Sequence, residues 1–217
     1  MKAHSHFTGK KPIAGKGQGL LAVRNIQAGT RLLSEKPPST IHGGKHAKTK
    51  PVLKILQACS TEDQKSFVAL HNSFQDTEKP LAGILKTNSF PLDPIHTPDD
   101  IGIFLQIARI NHHCTPNSVW DWNARIGKMT VHAVRNISEG EEITVPYLNL
   151  MPYQKRRAEL QTKFGFDCHC SHCSSSASNI EAMDRMIKSS MNLTTMLWLS
   201  MRRNQSTKYF RLSNWRQ

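Results

Sequence analysis

Three cysteines fall within six residues near the end of this chain: Cys168, Cys170 and Cys173, spaced C-x-C-x-x-C. Thiolates at that spacing are zinc ligands by type, and tetrahedral zinc wants a fourth donor, for which Cys114, His169 and His172 are the candidates. Cys59, the fifth cysteine, reads as a packing residue. Cys114 itself lies in Asn111-His112-His113-Cys114-Thr115-Pro116-Asn117, where Asn111 offers two donors and one acceptor to a polar ligand. Tyr147 ends the run Gly140-Glu141-Glu142-Ile143-Thr144-Val145-Pro146-Tyr147, and its phenol is a candidate reacting group. Upstream, Gly15-Lys16-Gly17-Gln18-Gly19-Leu20 lets the backbone approach a ligand closely. It is no dinucleotide fingerprint, because neither a βαβ context nor a downstream acidic partner follows. No Ser-His-Asp arrangement or general acid–base carboxylate pair is evident.

The elements that must position these residues are mostly short strands. Residues 9–19 are rich in Gly and Lys and read as a loop leading into a strand at Gly19–Arg24, with a second strand at Arg31–Glu35 closing a hairpin that Pro37 and Pro38 end. Residues 39–50 read as a mobile connection. Helix signals begin at Ser60, with Thr61 as cap, Gln64 in capping-box position, and Phe67, Val68 and Leu70 following. His71 through Pro80 breaks that helix. Residues 91–100, with their prolines and aspartates, read as a loop, and Ile101–Ile110 as a buried element of either type. Two alternating runs, 118–122 and 129–134, turn at Gly127 as a hairpin. A short strand at Glu142–Val145, a helix over Pro152–Lys163 and a helix from Asn179 to about Leu199 complete the reading.

The charge balance is 29 − 16 = +13, which favours acidic partners such as nucleic acid, nucleosomes or anionic lipid, or serves solubility alone. From Arg185 to Gln217 there are seven basic residues and no acidic one, so residues 176–217 read as a basic tail. No run of about twenty apolar residues suggests a membrane span. The first residues lack a secretory h-region, so an intracellular location, nucleus or cytoplasm, is expected. Five cysteines in such a chain point to metal or reactive thiols over disulfides.

Taken in order, N-H-x-C-x-P-N, G-E-E-I-x-x-x-Y and C-x-C-x-x-C resemble the SET-domain protein lysine methyltransferases. The glycine segment resembles the start of the same family's catalytic domain, and Thr87-Asn88-Ser89-Phe90 brings the chain nearest to the SET-and-MYND branch. It lacks that branch's MYND finger, since Cys59 is the only cysteine between the first strands and the helical insert. It also departs at His113 for Ser, Phe164 for Tyr, and Pro146 directly before the tyrosine. The resemblance implies a β-rich α+β fold: a SET domain over residues 10–150 with a helical insert at 39–100, then a zinc-bound post-SET segment at 151–175. It implies Tyr147 as catalytic residue, and S-adenosyl-L-methionine held by Lys16, Gly17, Gln18, Gly19, Asn88, Asn111, His112, Tyr147, Phe164 and Phe166. It implies Zn2+ on Cys114, Cys168, Cys170 and Cys173. Glu141 and Glu142 become turn-and-strand residues. The expected activity is methyl transfer to a lysine of a protein substrate, histone or non-histone, with a catalytically inactive scaffold or chromatin-binding module as the alternatives.

Overall fold

A computed structural model describes residues 6–43, 53, 56, 57, 59–93 and 97–190. The chain divides into two compact units. The first takes in the residues up to Tyr147 together with Leu160–Asp167, and the second Leu148–Glu159 and the residues from Cys168 on.

The first unit holds three small sheets. One is ordered β1-β2-β10-β7, from Thr8–Ile13, Gly17–Ala22, Glu142–Val145 and Asn111–His112. A second is β3-β9-β8, from Arg31–Glu35, Lys128–Ala133 and Ser118–Asn123. The third is β4-β6-β5, from Thr40–Ile41, Thr97–Ile103 and Ser89–Asp93. Two helices, α1 (Thr61–Val68) and α2 (Pro80–Asn88), occupy the insert. A 3-10 turn at Ile107–Arg109 leads into β7. Helix α3 is Tyr153–Phe164, and residues 177–190 form α4 in the second unit. The architecture is the expected β-rich α+β arrangement of short sheets with a helical insert.

Several local expectations need correction. Residues 9–19 are not a loop: Thr8–Ile13 pairs antiparallel with Gly17–Ala22 around a turn at Gly15, whose φ is 70°. The paired strand was masked by Lys10, Lys11 and Pro12, yet β1 is a sheet edge, where lysines and proline are tolerated and discourage further pairing. Nor do Gly19–Arg24 and Arg31–Glu35 form a hairpin. A bridge between Ile26 and Ile137 pins the connection, and β3 pairs with β9 in another sheet. Residues 91–100 are largely strand: Pro91 sits on the edge strand β5, where a missing N–H costs little. The cap of α1 is Ser60, one residue earlier than expected; its Oγ accepts from Asp63 N at 3.1 Å. Helix α2 was not foreseen, although Pro80 opens it at a position where its missing N–H is harmless. The hairpin over β8 and β9, turned at Gly127 with φ 61°, is as expected. The greater part of the 39–50 connection and the helix beyond residue 190 lie outside the described residues.

Apolar residues gather in two clusters. One joins the β-sheets through Leu20, Phe104, Ile107, Ile110, Met129, Ile143 and Val145. The other serves the insert through Ile41, Phe67, Leu70, Ile84, Leu85 and Ile103. Strand burial on this scale, about 25 cal/mol per Å2 of apolar surface removed from water, fixes each strand's inward face.

Candidate active site

Strand β10 is where the two central motifs meet. It lies antiparallel to β2 on one side and parallel to β7 on the other, with Thr144 opposite Asn111 and Val145 opposite His112. Asn117 locks this crossing. Almost fully buried, it accepts from Thr144 N at 2.9 Å and donates to the Glu142 carbonyl at 2.8 Å and to Glu141 at 2.9 Å. Glu141 also pairs with Arg135 and accepts from Ser138 N, which holds its carboxyl below the ordinary range despite its desolvation. The last Asn of one motif and the first Glu of the other are therefore joined for structural reasons.

Tyr147 follows directly. Its hydroxyl donates to the Ile110 carbonyl at 2.8 Å, and its N–H donates to His112 Nδ1 at 3.1 Å. Burial, and secondarily the Glu142 charge, push the phenol's pKa well above its usual value, so it stays a neutral donor. Rings gather around it: Phe164 at 4.9 Å, His112 at 5.3 Å and Phe166 at 6.4 Å between centroids. Tyr147, Phe164 and Phe166 are all only partly buried, and clustered aromatic side chains of this kind are the type that stacks on an aromatic base.

The polar side of the same neighbourhood centres on Glu142. Its Oε1 accepts from Asn111 Nδ2 at 2.9 Å and its Oε2 from Lys16 Nζ at 2.6 Å. A further contact runs from Asn111 Nδ2 to the Gln18 carbonyl at 3.4 Å. A carboxylate and a carbonyl facing one end of the amide fix that end as NH2, leaving Oδ1 to accept from a ligand. Gly19 is where it is because a Cβ there would stand 2.9 Å from Asn111 Nδ2 and 2.5 Å from Ile13 Cγ1. Gly17, at φ 73°, returns the chain from the turn.

Asn88 reaches this neighbourhood indirectly. Buried at the end of α2, it donates through Nδ2 to the His71 and Ile84 carbonyls, both at 2.7 Å. Ser73 then links the insert to the aromatic group, donating from Oγ to the Phe164 carbonyl at 2.6 Å and from N to Thr87 Oγ1 at 3.0 Å. The 71–73 segment, read from sequence only as a helix breaker, is thus a connector. So is Glu35: its carboxylate accepts from Gln106 N and Ile107 N at 3.0–3.1 Å, just ahead of the Ile110 carbonyl. Burial pushes Glu35 up to about 7, against the pull of those donors. Neither residue carries a sequence motif.

The sulfur atoms of Cys114, Cys168, Cys170 and Cys173 all lie within 4.8 Å of one another, and neither His169 nor His172 belongs to the group. Tetrahedral zinc–thiolate bonds of about 2.3 Å put sulfurs about 3.8 Å apart. The donor set is compatible with a zinc site; Cys59 is not part of it.

A phenol that donates to a backbone carbonyl among clustered rings and a four-cysteine cluster mark the site, and comparison with known proteins supplies the family. The chain belongs to the SET-domain family, whose domain matches residues 17–148. Its relatives include Histone-lysine N-methyltransferase set5 of Schizosaccharomyces pombe, 37% identical over 164 residues, which are 75% of this chain and 49% of that protein. Human Histone-lysine N-methyltransferase SMYD3 is 36% identical over 74 residues, 34% of this chain and 17% of that protein. The chain thus spans about half the length of the first relative and a smaller part of the second. No helix among the described residues is long and apolar enough to cross a membrane.

Proposed function

We propose that the protein is a protein-lysine N-methyltransferase that uses S-adenosyl-L-methionine and carries a structural Zn2+. The observation that carries this reading is Tyr147, whose hydroxyl rests on the Ile110 carbonyl inside an aromatic group that joins both central motifs. When bound, the donor supplies an activated methyl group whose leaving group is a neutral thioether. The chain's own residues have a limited task. Asn111 presents Oδ1 to the donor's polar head; Lys16, Gly17, Gln18 and Gly19 complete that side, and Asn88 is a further donor contact from the insert. Phe164 and Phe166 offer their faces to the adenine. His112 contributes through its backbone and through the placement of Tyr147.

The acceptor amine must be neutral before it attacks. At a reference pKa near 10.4, deprotonating lysine at pH 7 costs about 4.6 kcal/mol. Desolvation beside Tyr147 lowers that cost, and the phenol and the Ile110 carbonyl orient the amine along one line. Because Tyr147 remains protonated, it serves by hydrogen bonding and is not the base; the proton leaves to solvent. Zinc would be held by Cys114, Cys168, Cys170 and Cys173 as a purely structural ion, a four-thiolate site having no open position for catalysis.

The acceptor is a lysine of a protein, and the histone names of the relatives make histones the first substrates to try. The +13 charge supports docking to acidic chromatin surfaces as an aid, and a nuclear or cytoplasmic location accords with such substrates. The test is transfer from radiolabelled donor to a histone mixture by the wild type and Tyr147→Phe. A drop of about 100-fold or more, with donor affinity kept within about threefold, supports the enzyme. Equal transfer by both, or none by a zinc-loaded wild type, supports a scaffold.

A further inference from the structure

Pro146 stands directly before the proposed catalytic tyrosine, and it removes a backbone donor where strand β10 ends. The ladder between β10 and β7 stops at Val145 opposite His112, with His113 N donating to the Val145 carbonyl at 3.3 Å. Past that point the next backbone donor is Tyr147 N–H. It is satisfied by a side chain, His112 Nδ1, at 3.1 Å. An Nδ1 that accepts carries no proton, so in the neutral ring the proton sits on Nε2. Nε2 lies 3.4 Å from Cys114 Sγ, a hydrogen-bond distance to sulfur. His112 is itself buried, and both bonds are partly buried. One imidazole thereby spans two groups with different roles: the backbone of Tyr147 and a sulfur of the four-cysteine cluster.

From this geometry we infer that His112 is a positioning residue that couples the sulfur cluster to the tyrosine. Its Nε2–H donates to the Cys114 thiolate, which fixes the tautomer, and its Nδ1 then holds the Tyr147 backbone so that the phenol stays on the Ile110 carbonyl. The inference rests on the methyltransferase reading for its consequence in catalysis, but not for its structural content. An outer hydrogen bond to a metal-bound thiolate is commonly worth 10–100-fold in metal affinity or activity. Metal loading would then be sensed at the Tyr147 phenol through one ring.

Two replacements separate the two bonds. In His112→Ala both are lost. In His112→Asn the short amide can still accept from Tyr147 N–H but does not reach Cys114 Sγ. The chain has three tyrosines, so 15N-tyrosine labelling gives three backbone amide signals, and Tyr147→Phe identifies the one that matters. On the full chain loaded with zinc, we expect the Tyr147 amide to exchange slowly with solvent in the wild type, at least tenfold faster in His112→Ala, and slowly again in His112→Asn. Zinc affinity, read by competition with a chromophoric chelator, should fall about 10–100-fold in both variants. Methyl transfer should fall in kcat more than in donor affinity for His112→Ala and recover in part for His112→Asn. Unchanged Tyr147 exchange in His112→Ala, or unchanged zinc affinity in both variants, overturns the inference. Because exchange and zinc affinity need no catalysis, a wild type without transfer activity that still shows these responses defeats the enzyme reading and leaves the coupling standing. Should His112→Ala fail to fold, His112→Asn alone decides: zinc affinity equal to wild type overturns the coupling.

Discussion

The aromatic and polar sides of the Tyr147 neighbourhood are held by different forces. On the aromatic side, His112, Phe164 and Phe166 lie 4.9–6.4 Å from Tyr147 between ring centroids, and the Tyr147 hydroxyl donates to a backbone carbonyl. On the polar side, Lys16, Glu142 and Asn111 make side-chain bonds close to solvent; the Lys16 side chain is 39% exposed. Packed rings hold position at any ionic strength, whereas an exposed ion pair is screened by salt. The aromatic side should therefore dominate donor affinity, and the polar side should tune it.

The largest departure from that picture would come at Phe166. Replacing Phe166 with Ala removes one open π-face, and base–aromatic stacking is worth about 1–3 kcal/mol, so donor affinity measured by calorimetry should fall roughly 10–100-fold. Loss below twofold would mean that adenine rests elsewhere. Gly19→Ala tests where the two sides touch. Its added methyl would meet Asn111 Nδ2 and Ile13 Cγ1, an overpacking that should cost about 1–3 kcal/mol in urea unfolding and weaken the donor as well. A wild-type unfolding midpoint would show that the polar side has slack.

Glu35 gives a pH signature. Its folded pKa of about 7 lies above the ordinary 4.5, so between those values the folded protein keeps a proton that the unfolded chain has released. Stability contributed by this carboxyl is thus present below about pH 4.5 and is lost as pH rises to about 7, by about 1–3 kcal/mol. Chemical denaturation of the wild type and Glu35→Gln across that window should show the decline in the wild type alone. Parallel profiles would put the carboxyl at an ordinary pKa. The smallest effect is expected at Lys16→Ala: about two- to threefold in donor affinity at low salt, vanishing at high salt. Salt-independent loss would make Lys16 a buried contact and erase the contrast between the sides.

Much of this arrangement was legible in the chain because local chemistry and global placement agree. The β8–β9 hairpin follows from alternation and Gly127, and the strand at Glu142–Val145 from its apolar alternation. The four cysteines are compact in space as their types suggested, with Cys114 supplying the fourth sulfur. What stayed hidden was pairing between distant segments. Nothing local says that Asn111–His112 lies parallel to Thr144–Val145, that Arg31–Glu35 joins β9 instead of β2, or that Pro91 belongs to an edge strand. The connectors were equally silent. Ser73 and Glu35 act through bonds to groups 91 and 71 residues away, and an isolated Ser or Glu carries no spacing to betray that role.

Methyl transfer to a lysine amine beside Tyr147 is measured most directly by mass spectrometry of histones incubated with the zinc-loaded protein and donor bearing a deuterated methyl group. The expected result is a labelled methyl on lysine ε-nitrogen, reduced about 100-fold or more when Tyr147→Phe replaces the wild type. Donor that binds while no lysine acquires label from histones or from a whole-cell protein extract would contradict it.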